Sequence, residues 1–253
     1  KPEMSLSVII ITKNEEAAIE ACLESVIWAD EIIILDSGSE DRTVEICRCY
    51  TDRVYETDWP GFGPQKNRAL DKAKGDWIFS IDADERISPD LKEEILRVIS
   101  DPAAPEAFEM PRLSSFCGRP IRHSGWWPDY ITRLVRKGRA RFSDDLVHER
   151  LIVDGTTGRL IHPILHEAFE SLEDVIQTMN RYTTAGAEMM RRRGETSTLF
   201  SAVTHGLWAF FYAWIGRGGF LDGREGFLVA LYNAEHTFYR YAKRLYLDDE
   251  KNP

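Results

Sequence analysis

A cluster of three carboxylates follows a short apolar run in the first half of the chain. Trp77-Ile78-Phe79-Ser80-Ile81 has the composition of a buried strand, and Asp82, Asp84 and Glu85 come directly after it. Ligands of open α/β sheets bind beyond the carboxyl ends of the strands, where these side chains would lie. Clustered carboxylates repel one another unless a cation neutralises them, and oxygen ligands suit magnesium or manganese. The pattern therefore predicts a divalent-metal site at Asp82 and Asp84, with a solvated acidic loop as the alternative.

Two further polar clusters follow predicted strands earlier in the chain. Residues 6–11 and 31–35 are rich in β-branched side chains, which is typical of strands, and they are followed by residues 12–15 and 36–38. Segments with helical spacing of apolar residues separate the strands, so the alternation predicts a doubly wound parallel sheet over residues 5–100. Right-handed crossovers bring the carboxyl ends of such strands to one rim. The three polar clusters are therefore expected to meet there.

Three polar clusters on one rim suggest a nucleotide site. Asp36 is placed to accept hydrogen bonds from a base or ribose, Gly38 permits a tight turn, and Lys66 begins a predicted helix where it could meet a phosphate. The sequence has no glycine-rich phosphate loop of the Walker or dinucleotide type. Phosphate charge would therefore be met by a cation and scattered basic groups. For residues 36–38, a turn with a helix cap is the structural alternative.

Charge and cysteine content exclude several classes of protein. The chain of 253 residues has a formal net charge of −10, which argues against nucleic acid as the main partner. The four cysteines have no spacing typical of a zinc site, and we interpret them as reduced thiols of a cytosolic protein. No signal peptide is expected, because the apolar run at residues 6–11 is short and charged residues follow it.

Four of these stretches, in their order and spacing, resemble the motifs of family 2 glycosyltransferases. They are residues 8–16, 35–39, 65–67 and 82–85. Three further stretches extend the resemblance to the bacterial lipopolysaccharide core β-glucosyltransferase subgroup, namely residues 125–129, 147–149 and 219–223. The resemblance implies the GT-A fold, an inverting reaction and a nucleotide-sugar donor.

The resemblance also implies roles for individual residues at the donor site. Thr12, Asn14, Glu15 and Asp36 would hold the nucleoside, and Ser37, Gly38, Lys66, Asp82 and Ala83 would complete the site. Asp82 and Asp84 would form the metal motif, with Asp84 favoured as the direct ligand. His166 would be a third metal ligand that follows a strand.

An inverting transfer needs a base within hydrogen-bond reach of the acceptor hydroxyl. We predict Glu149 for this role, because the family places a carboxylate near this point, with Asp145 and Asp129 as rivals. For Asp145 a solvated turn is the alternative. Trp126 and Trp127 either form an apolar wall against a sugar or pack in the core.

The second half of the chain changes character at about residue 171. Residues 131–136 alternate with period two, which predicts a half-exposed strand, whereas residues 171–253 show helical spacing and many aromatic side chains. Residues 199–215 are apolar but too short to span a bilayer, and a glycine-rich loop is predicted over residues 216–226.

The helical region is also more basic than the rest of the chain. Residues 177–247 carry nine Lys and Arg against five Asp and Glu. A basic, aromatic region suits the surface of an anionic membrane. An oligomer interface or a cover for the back of the sheet is the alternative, and Arg191 to Arg193 could instead meet the phosphates of a glycolipid acceptor.

Together these features predict an α/β protein with a GT-A type, doubly wound, mostly parallel sheet and a helical, aromatic-rich C-terminal appendage. The catalytic domain would span residues 1–170, with a nucleotide-sugar half at 5–100 and an acceptor half at 101–170, and the helical region would span 171–253. The expected activity is inverting, metal-assisted transfer of a hexose from UDP-glucose to a lipopolysaccharide inner-core acceptor. The expected location is peripheral, on the cytoplasmic face of the inner membrane.

The sequence leaves three alternatives to this function. One is a family 2 transferase for another glycan or glycolipid, and a second is a non-catalytic sugar-nucleotide binder. The third, nucleotidyl transfer, would normally bring a glycine-rich amino-terminal loop with a basic residue, which this sequence lacks.

Overall fold

The computed structural model describes residues 4–143 and 150–249 of the chain. The chain forms two compact units that are not continuous segments. The first unit contains residues 1–112 and 129–166, and the second contains residues 113–128 and 167–253. The predicted boundary at residue 170 came with an assignment of donor binding to residues 5–100 and acceptor binding to residues 101–170. The two compact units do not test that assignment, so the division stays a prediction.

The first unit contains most of the strands. Strands β6 and β12 continue into the second unit, to which β7 belongs. In chain order the strands are β1 (Leu6–Thr12), β2 (Glu31–Asp36), β3 (Val54–Glu56), β4 (Trp77–Ser80), β5 (Glu85–Ile87), β6 (Ala107–Phe116), β7 (Arg119–Pro120), β8 (Asp129–Arg136), β9 (Ala140–Phe142), β10 (Leu151–Val153), β11 (Thr157–Arg159) and β12 (Ile164–Phe169). The helices of the first unit are α1 (Ile19–Val26), α2 (Thr43–Arg48), α3 (Phe62–Lys72) and α4 (Pro89–Ile99).

The sheet of the first unit is mixed and mostly parallel at its amino-terminal half. Strands β3, β2, β1 and β4 lie side by side in this order and are parallel, whereas β8 runs antiparallel to β4 and β6 antiparallel to β8. The chain moves outward from β1 to β3 and then returns through α3 to place β4 on the other side of β1. The boundary between β1 and β4 is therefore a topological switch point, where ligands of open sheets bind. This architecture confirms the predicted sheet.

Helices cover both faces of the central strands. Val8 and Ile10 of β1 pack into a cluster with α1 and α4, whereas Ile9 packs on the opposite face with Ala69 and Leu70 of α3. Successive side chains of a strand point to opposite faces, so the apolar run of β1 fills both layers of the core. This packing holds the carboxyl ends of β1, β2 and β4 in place.

Strand β8 differs from the predicted half-exposed strand. Phe108 of β6 pairs with Leu134 and Glu109 pairs with Thr132, so Arg133 is an extra residue at a β-bulge. Arg133, Leu134 and Val135 are all buried. The prediction of a half-exposed strand is wrong for these residues, because alternation stops at the bulge and because Leu134 and Val135 pack into core clusters on opposite faces of the sheet.

The second unit is mainly helical, as predicted. Its helices are α5 (Leu172–Arg192), α6 (Leu199–Phe211), a π-helix (Tyr212–Gly216), a 3₁₀ helix (Gly219–Asp222) and α7 (Gly223–Asp249). Thr198 and Ser201 form a capping box at the start of α6, and α5 and α6 both pack against α7. Within residues 4–143 and 150–249, no helix combines the length and hydrophobicity that crossing a bilayer requires.

The predicted glycine-rich loop at residues 216–226 is wrong for its second half, which is helical. The 3₁₀ helix and the first turn of α7 pack closely because Gly226 has no side chain. A Cβ atom added to Gly226 would overlap the carbonyl oxygen of Gly219. Asp222, between them, accepts hydrogen bonds from the backbone N–H groups of Arg122 and His123. Residues 219–223, which carry part of the family resemblance, thus connect the start of α7 with the segment that contains Arg122 and His123.

We expect Gly226→Ala to destabilise the protein by about 2–3 kcal/mol, because backbone atoms cannot move away from the new methyl group as a flexible side chain can. Gly186→Ala is the matched control, since it is also a helical glycine of this unit but would meet the side chain of Arg240. Its helix-propensity gain of about 1 kcal/mol should offset that contact. Thermal unfolding of both variants tests the prediction, and equal melting temperatures would contradict it.

Candidate active site

The carboxylate of Asp36 organises the turn that follows β2. Thr12 lies opposite Asp36 in the parallel pair of β1 and β2, and its hydroxyl donates to Asp36 Oδ1 at 3.0 Å. Asp36 Oδ2 accepts the backbone N–H groups of Gly38 and Ser39 at 2.9 and 2.8 Å. The side chain is buried, so Asp36 closes this turn as the structural alternative describes. A contact with the nucleoside stays a prediction.

The loop after β1 is tied to the same turn. Asn14 has a left-handed backbone with φ of 56°, which is uncommon for a residue other than glycine. Its N–H donates to Ser39 Oγ and its Oδ1 accepts the N–H of Glu40, both at 2.8 Å. The N–H of Glu15 donates to Thr43 Oγ1 at 2.7 Å. The predicted residues Thr12, Asn14 and Glu15 therefore lie beside the Asp36 turn.

Two consecutive residues of α3 connect this turn with the carboxylates after β4. Gln65 donates to Ser37 Oγ at 3.0 Å, and the ammonium group of Lys66 lies 2.9 Å from Asp82 Oδ1. Both α3 side chains are buried. The structure thus brings together residues from the loops after β1, β2 and β4, as the sequence predicted. The contact between Lys66 and a phosphate stays a prediction.

Asp82 is held by two cations. Besides Lys66, Arg133 Nη2 lies 2.5 Å from Asp82 Oδ2 and 2.9 Å from Glu85 Oε1. Burial raises the pKa of Asp82, but the charges of Arg133 and Lys66 outweigh this effect and hold that pKa well below its ordinary value. Glu85 is completely buried, and burial holds its pKa above the ordinary value although Arg133 lowers it.

The network of charges continues to a rival for the role of base. Arg112 donates to Asp129 Oδ2 through Nε at 3.0 Å and through Nη2 at 2.7 Å, and its Nη1 lies 3.7 Å from Glu85 Oε1. Asp129 is therefore paired with a guanidinium group through one of its carboxylate oxygens.

Asp84 and His166 meet at the same rim. His166 lies within β12, opposite Glu85 of β5, rather than after a strand. Its Nε2 is 3.3 Å from Asp84 Oδ2, and the Asp84 side chain is 43% exposed. Ala83 between the two aspartates is buried. The turn thus gives Asp82 and Asp84 different surroundings, because one contacts cations and the other contacts an imidazole.

A carboxylate suits magnesium or manganese, which keep several waters or substrate oxygens, and an imidazole is a common ligand of first-row transition metals, to which manganese belongs. No cluster of three or more His, Cys, Asp and Glu side chains suited to a metal occurs in residues 4–143 and 150–249. The remaining ligand positions would then belong to the substrate and to water. The metal roles of Asp82, Asp84 and His166 stay predictions.

Several predicted residues lie elsewhere. Glu149, Asp145 and their neighbours at residues 144–149 lie outside the described residues. Trp126 packs in the second unit with Phe116 and Phe169, with ring centroids 6.2 Å away in both pairs. This packing agrees with a core role for Trp126.

Sequence reasoning gave no role to Arg133, Glu85 or Arg112. Gln65 was also given no role. Glu85 and Gln65 lie in stretches that carry the family resemblance, and this position could have marked them as site residues. Arg133 offered none, because period-two alternation cannot show that a bulge turns an arginine into the core. Arg112 is an ordinary strand arginine until its pairing with Asp129 across β6 and β8 is known.

Comparisons with known proteins identify the family of the chain. The model of the family Glycosyl transferase family 2 matches residues 7–148. The chain is 28% identical to the lipopolysaccharide core biosynthesis glycosyltransferase LpsC of Rhizobium meliloti (strain 1021), over 96% of this chain and 92% of the relative. It is 30% identical to an uncharacterized glycosyltransferase of Rickettsia bellii (strain RML369-C), over 98% of this chain and 88% of the relative.

A solved structure supports the fold. The crystal structure of S. aureus TarS matches with a TM-score of 0.50 and 18% identity, over 74% of this chain and 40% of that chain. This likeness concerns the fold alone, and it confirms the predicted GT-A type. Since the family model covers more than half of the chain, the protein belongs to glycosyl transferase family 2 and is a glycosyltransferase.

Proposed function

We propose that the enzyme inverts configuration while it moves glucose from UDP-glucose to a sugar of the lipopolysaccharide inner core, with the help of a divalent metal. The observation that carries the proposal is the polar rim at the switch point between β1 and β4, where three loops meet through Asp36, Gln65 and Lys66. Membership of the family implies a nucleotide-sugar donor and a saccharide acceptor. The likeness to LpsC supports a lipopolysaccharide acceptor.

The donor would bind to loops that are already in place. Thr12, Asn14, Glu15 and Asp36 would surround the nucleoside, and Ser37 and Gly38 would lie beside it. Hydrogen bonds from Thr12, Gly38 and Ser39 to Asp36 hold this turn in one arrangement, against which the nucleoside would bind. Lys66 lies in the amino-terminal part of α3 and contacts Asp82. Beside the metal motif, its ammonium group would face the diphosphate.

Asp84 and His166 would hold the manganese or magnesium ion, and Asp82 would complete the motif. Bound there, the cation would stabilise negative charge on the leaving diphosphate. Lys66 and Arg133 already neutralise Asp82, so they compete with a cation for its oxygens. By contrast, the described contact of Asp84 is with the imidazole of His166, which supports Asp84 as the direct ligand.

Glu149 would act as the base. As the acceptor hydroxyl oxygen forms its bond to the anomeric carbon, the carboxylate takes the hydroxyl proton. The bond between the anomeric carbon and the diphosphate oxygen breaks on the opposite face, and its electron pair leaves with UDP. Attack opposite the leaving group inverts the configuration.

The proposed acceptor is lipid-linked, so the enzyme would work at a membrane surface. We place it peripherally on the cytoplasmic face of the inner membrane. The excess of Lys and Arg over Asp and Glu in residues 177–247 supports this location, since the rest of the chain is acidic.

The test is release of nucleotide from a panel of nucleotide sugars, with manganese, magnesium or a chelator. We expect slow release of UDP from UDP-glucose that the chelator stops and that an inner-core acceptor accelerates. Turnover with a different acceptor glycan would favour another family 2 activity. Binding of UDP without turnover in any combination would favour the non-catalytic binder.

Glu149→Gln separates catalysis from binding in the same assay. The variant should keep its affinity for UDP and lose transfer by roughly 100-fold, because an amide cannot accept the proton. Asp129→Asn is the comparison for the rival base. A larger loss in Asp129→Asn than in Glu149→Gln would move the role of base to Asp129.

A further inference from the structure

Helix α6 and the π-helix that follows it expose a row of large apolar side chains. We call this row the α6 outer face. The most exposed members are Phe200 at 79%, Trp208 at 69% and Ile215 at 61%. Its residues are Phe200, Val203, Leu207, Trp208, Phe211, Tyr212 and Ile215, which recur at helical spacing. Single exposed apolar residues are ordinary, but a continuous row marks an interaction surface.

The opposite side of the same segment is made of small residues. Ala202, Gly206 and Ala213 are buried. A Cβ atom added to Gly206 would lie 3.2 Å from the carbonyl oxygen of Ala234 in α7, so the two helices approach closely. A helix of a water-soluble surface usually turns its large apolar side chains inward. This segment instead turns its large apolar side chains outward and its small residues inward, so its outer face suits contact with an apolar medium.

The charges around the α6 outer face are positive at both ends. Residues 199–216 contain no Asp, Glu, Lys or Arg. Arg192 and Arg193 precede the segment with side chains 72% and 67% exposed, and their contacts with Glu188 and Glu195 are long, at 3.4 and 4.0 Å. Arg217 follows the segment and is exposed, with its Nε donating to the hydroxyl of Tyr212 at 2.9 Å.

We propose that the α6 outer face docks on an anionic lipid bilayer, with the helix lying in the plane of the interface. Such helices bury an apolar face at the boundary of headgroups and acyl chains, and flanking arginines bind anionic headgroups. Trp208 and Tyr212 suit this depth, because amphipathic rings concentrate at membrane interfaces.

The charge pattern favours a bilayer over a second copy of the chain. In a two-fold pairing of this segment with itself, each end would meet an end of the other copy. Both ends carry exposed arginines and the segment carries no carboxylate, so the pairing would bring like charges together. An anionic surface complements the same arrangement.

The inference deepens the proposed function, because a lipid-linked acceptor rests in such a surface. Vesicle binding needs neither donor nor acceptor, however, so the two proposals can fail separately. Failure of the wild-type protein to bind anionic vesicles, together with intact transfer to a soluble acceptor, would reject the docking surface alone. Vesicle binding without any transfer would reject the proposed function alone.

The experiment is co-sedimentation of the full chain with phosphatidylcholine vesicles, with and without phosphatidylglycerol. We expect binding that requires phosphatidylglycerol and that weakens at least about tenfold in Phe200→Ser/Trp208→Ser, since two large side chains no longer enter the bilayer. Arg192→Gln/Arg193→Gln should weaken the dependence on phosphatidylglycerol. Ile161→Ser is the matched control, because Ile161 is 70% exposed on the first unit.

Circular dichroism first confirms that each variant is folded. Equal vesicle binding by the wild type and Phe200→Ser/Trp208→Ser would overturn the proposal, as would failure of the wild type to bind phosphatidylglycerol vesicles. A dimer in solution that Phe200→Ser/Trp208→Ser converts to a monomer would also overturn it, since a second copy would then cover the face.

Discussion

Asp84→Ala is expected to abolish manganese-dependent binding of UDP and to lower glycosyl transfer by about 10³-fold. The magnitude follows from the several kcal/mol of charge stabilisation that a bound divalent ion contributes to a transition state. Asp84 is the carboxylate of the 82–85 cluster that meets an imidazole, at 3.3 Å from His166 Nε2. Its side chain is 43% exposed, so removing it should change the melting temperature little.

Titration calorimetry with UDP, with and without manganese, measures the first effect directly. Asp154→Ala is the matched control, because Asp154 is an aspartate of the same unit whose side chain is 85% exposed and contacts Arg139. The control should bind UDP and manganese as the wild type does. An Asp84→Ala protein that binds UDP with unchanged dependence on manganese would reject the metal assignment.

Asp82→Ala should give a different result, and the contrast tests the division of roles between the two aspartates. Asp82 contacts Lys66 and Arg133, so its removal leaves two buried cations with less compensation. We therefore expect a lower melting temperature for Asp82→Ala together with weaker donor binding.

The rim of the sheet was accessible to sequence reasoning because its signals are local. An apolar run that ends in polar residues marks the carboxyl end of a strand, and alternation with helices assigns those ends to one side. Asp36 and Asp82 follow from this reasoning, whereas Lys66 follows from its place at the start of a predicted helix. The structure brings the three clusters together through contacts of α3. The family resemblance added roles that spacing alone does not provide.

The internal partners of these residues were not accessible in the same way. The bonds of Asp36 to Gly38 and Ser39 are local and fit the turn offered as an alternative, but its bond from Thr12 joins two loops whose pairing is known only from the sheet. Arg133 enters the site through a bulge in β8, and a bulge breaks the alternation from which strand faces are predicted. The outward orientation of the large apolar side chains of α6 could not be predicted either, since an aromatic segment is compatible with both a core and a surface position.

Arg133→Met is expected to destabilise the protein by about 3–5 kcal/mol at neutral pH, the cost of leaving a buried charge without its partner. Arg133 is buried and contacts both Asp82 and Glu85. Lys66 still compensates Asp82 in the variant, whereas Glu85 retains a distant contact with Arg112 at 3.7 Å. Most of the loss should therefore arise from Glu85.

The loss should shrink as the pH falls from 7 towards about 4. The raised pKa of Glu85 means that its charged form opposes folding, so stability is greatest below the ordinary carboxyl pKa and falls as the pH rises through the folded value. Arg133→Met raises that pKa further. The lowered pKa of Asp82 contributes stability that is present above the ordinary carboxyl pKa and is lost only as the pH falls below it, towards the folded value. Between pH 7 and about 4 the change in the variant's deficit therefore comes from Glu85.

Urea unfolding at several pH values measures these differences, with Arg139→Met as the surface control. Arg139 is 53% exposed and contacts Asp154 at 3.5 Å, so its loss should cost less than about 0.5 kcal/mol at every pH. Glu85→Gln/Arg133→Met should recover part of the stability, because the amide needs no counter-ion. If the double variant is no more stable than Arg133→Met, the buried ion pair does not explain the loss. Arg133 would then act through packing at the bulge rather than through its charge.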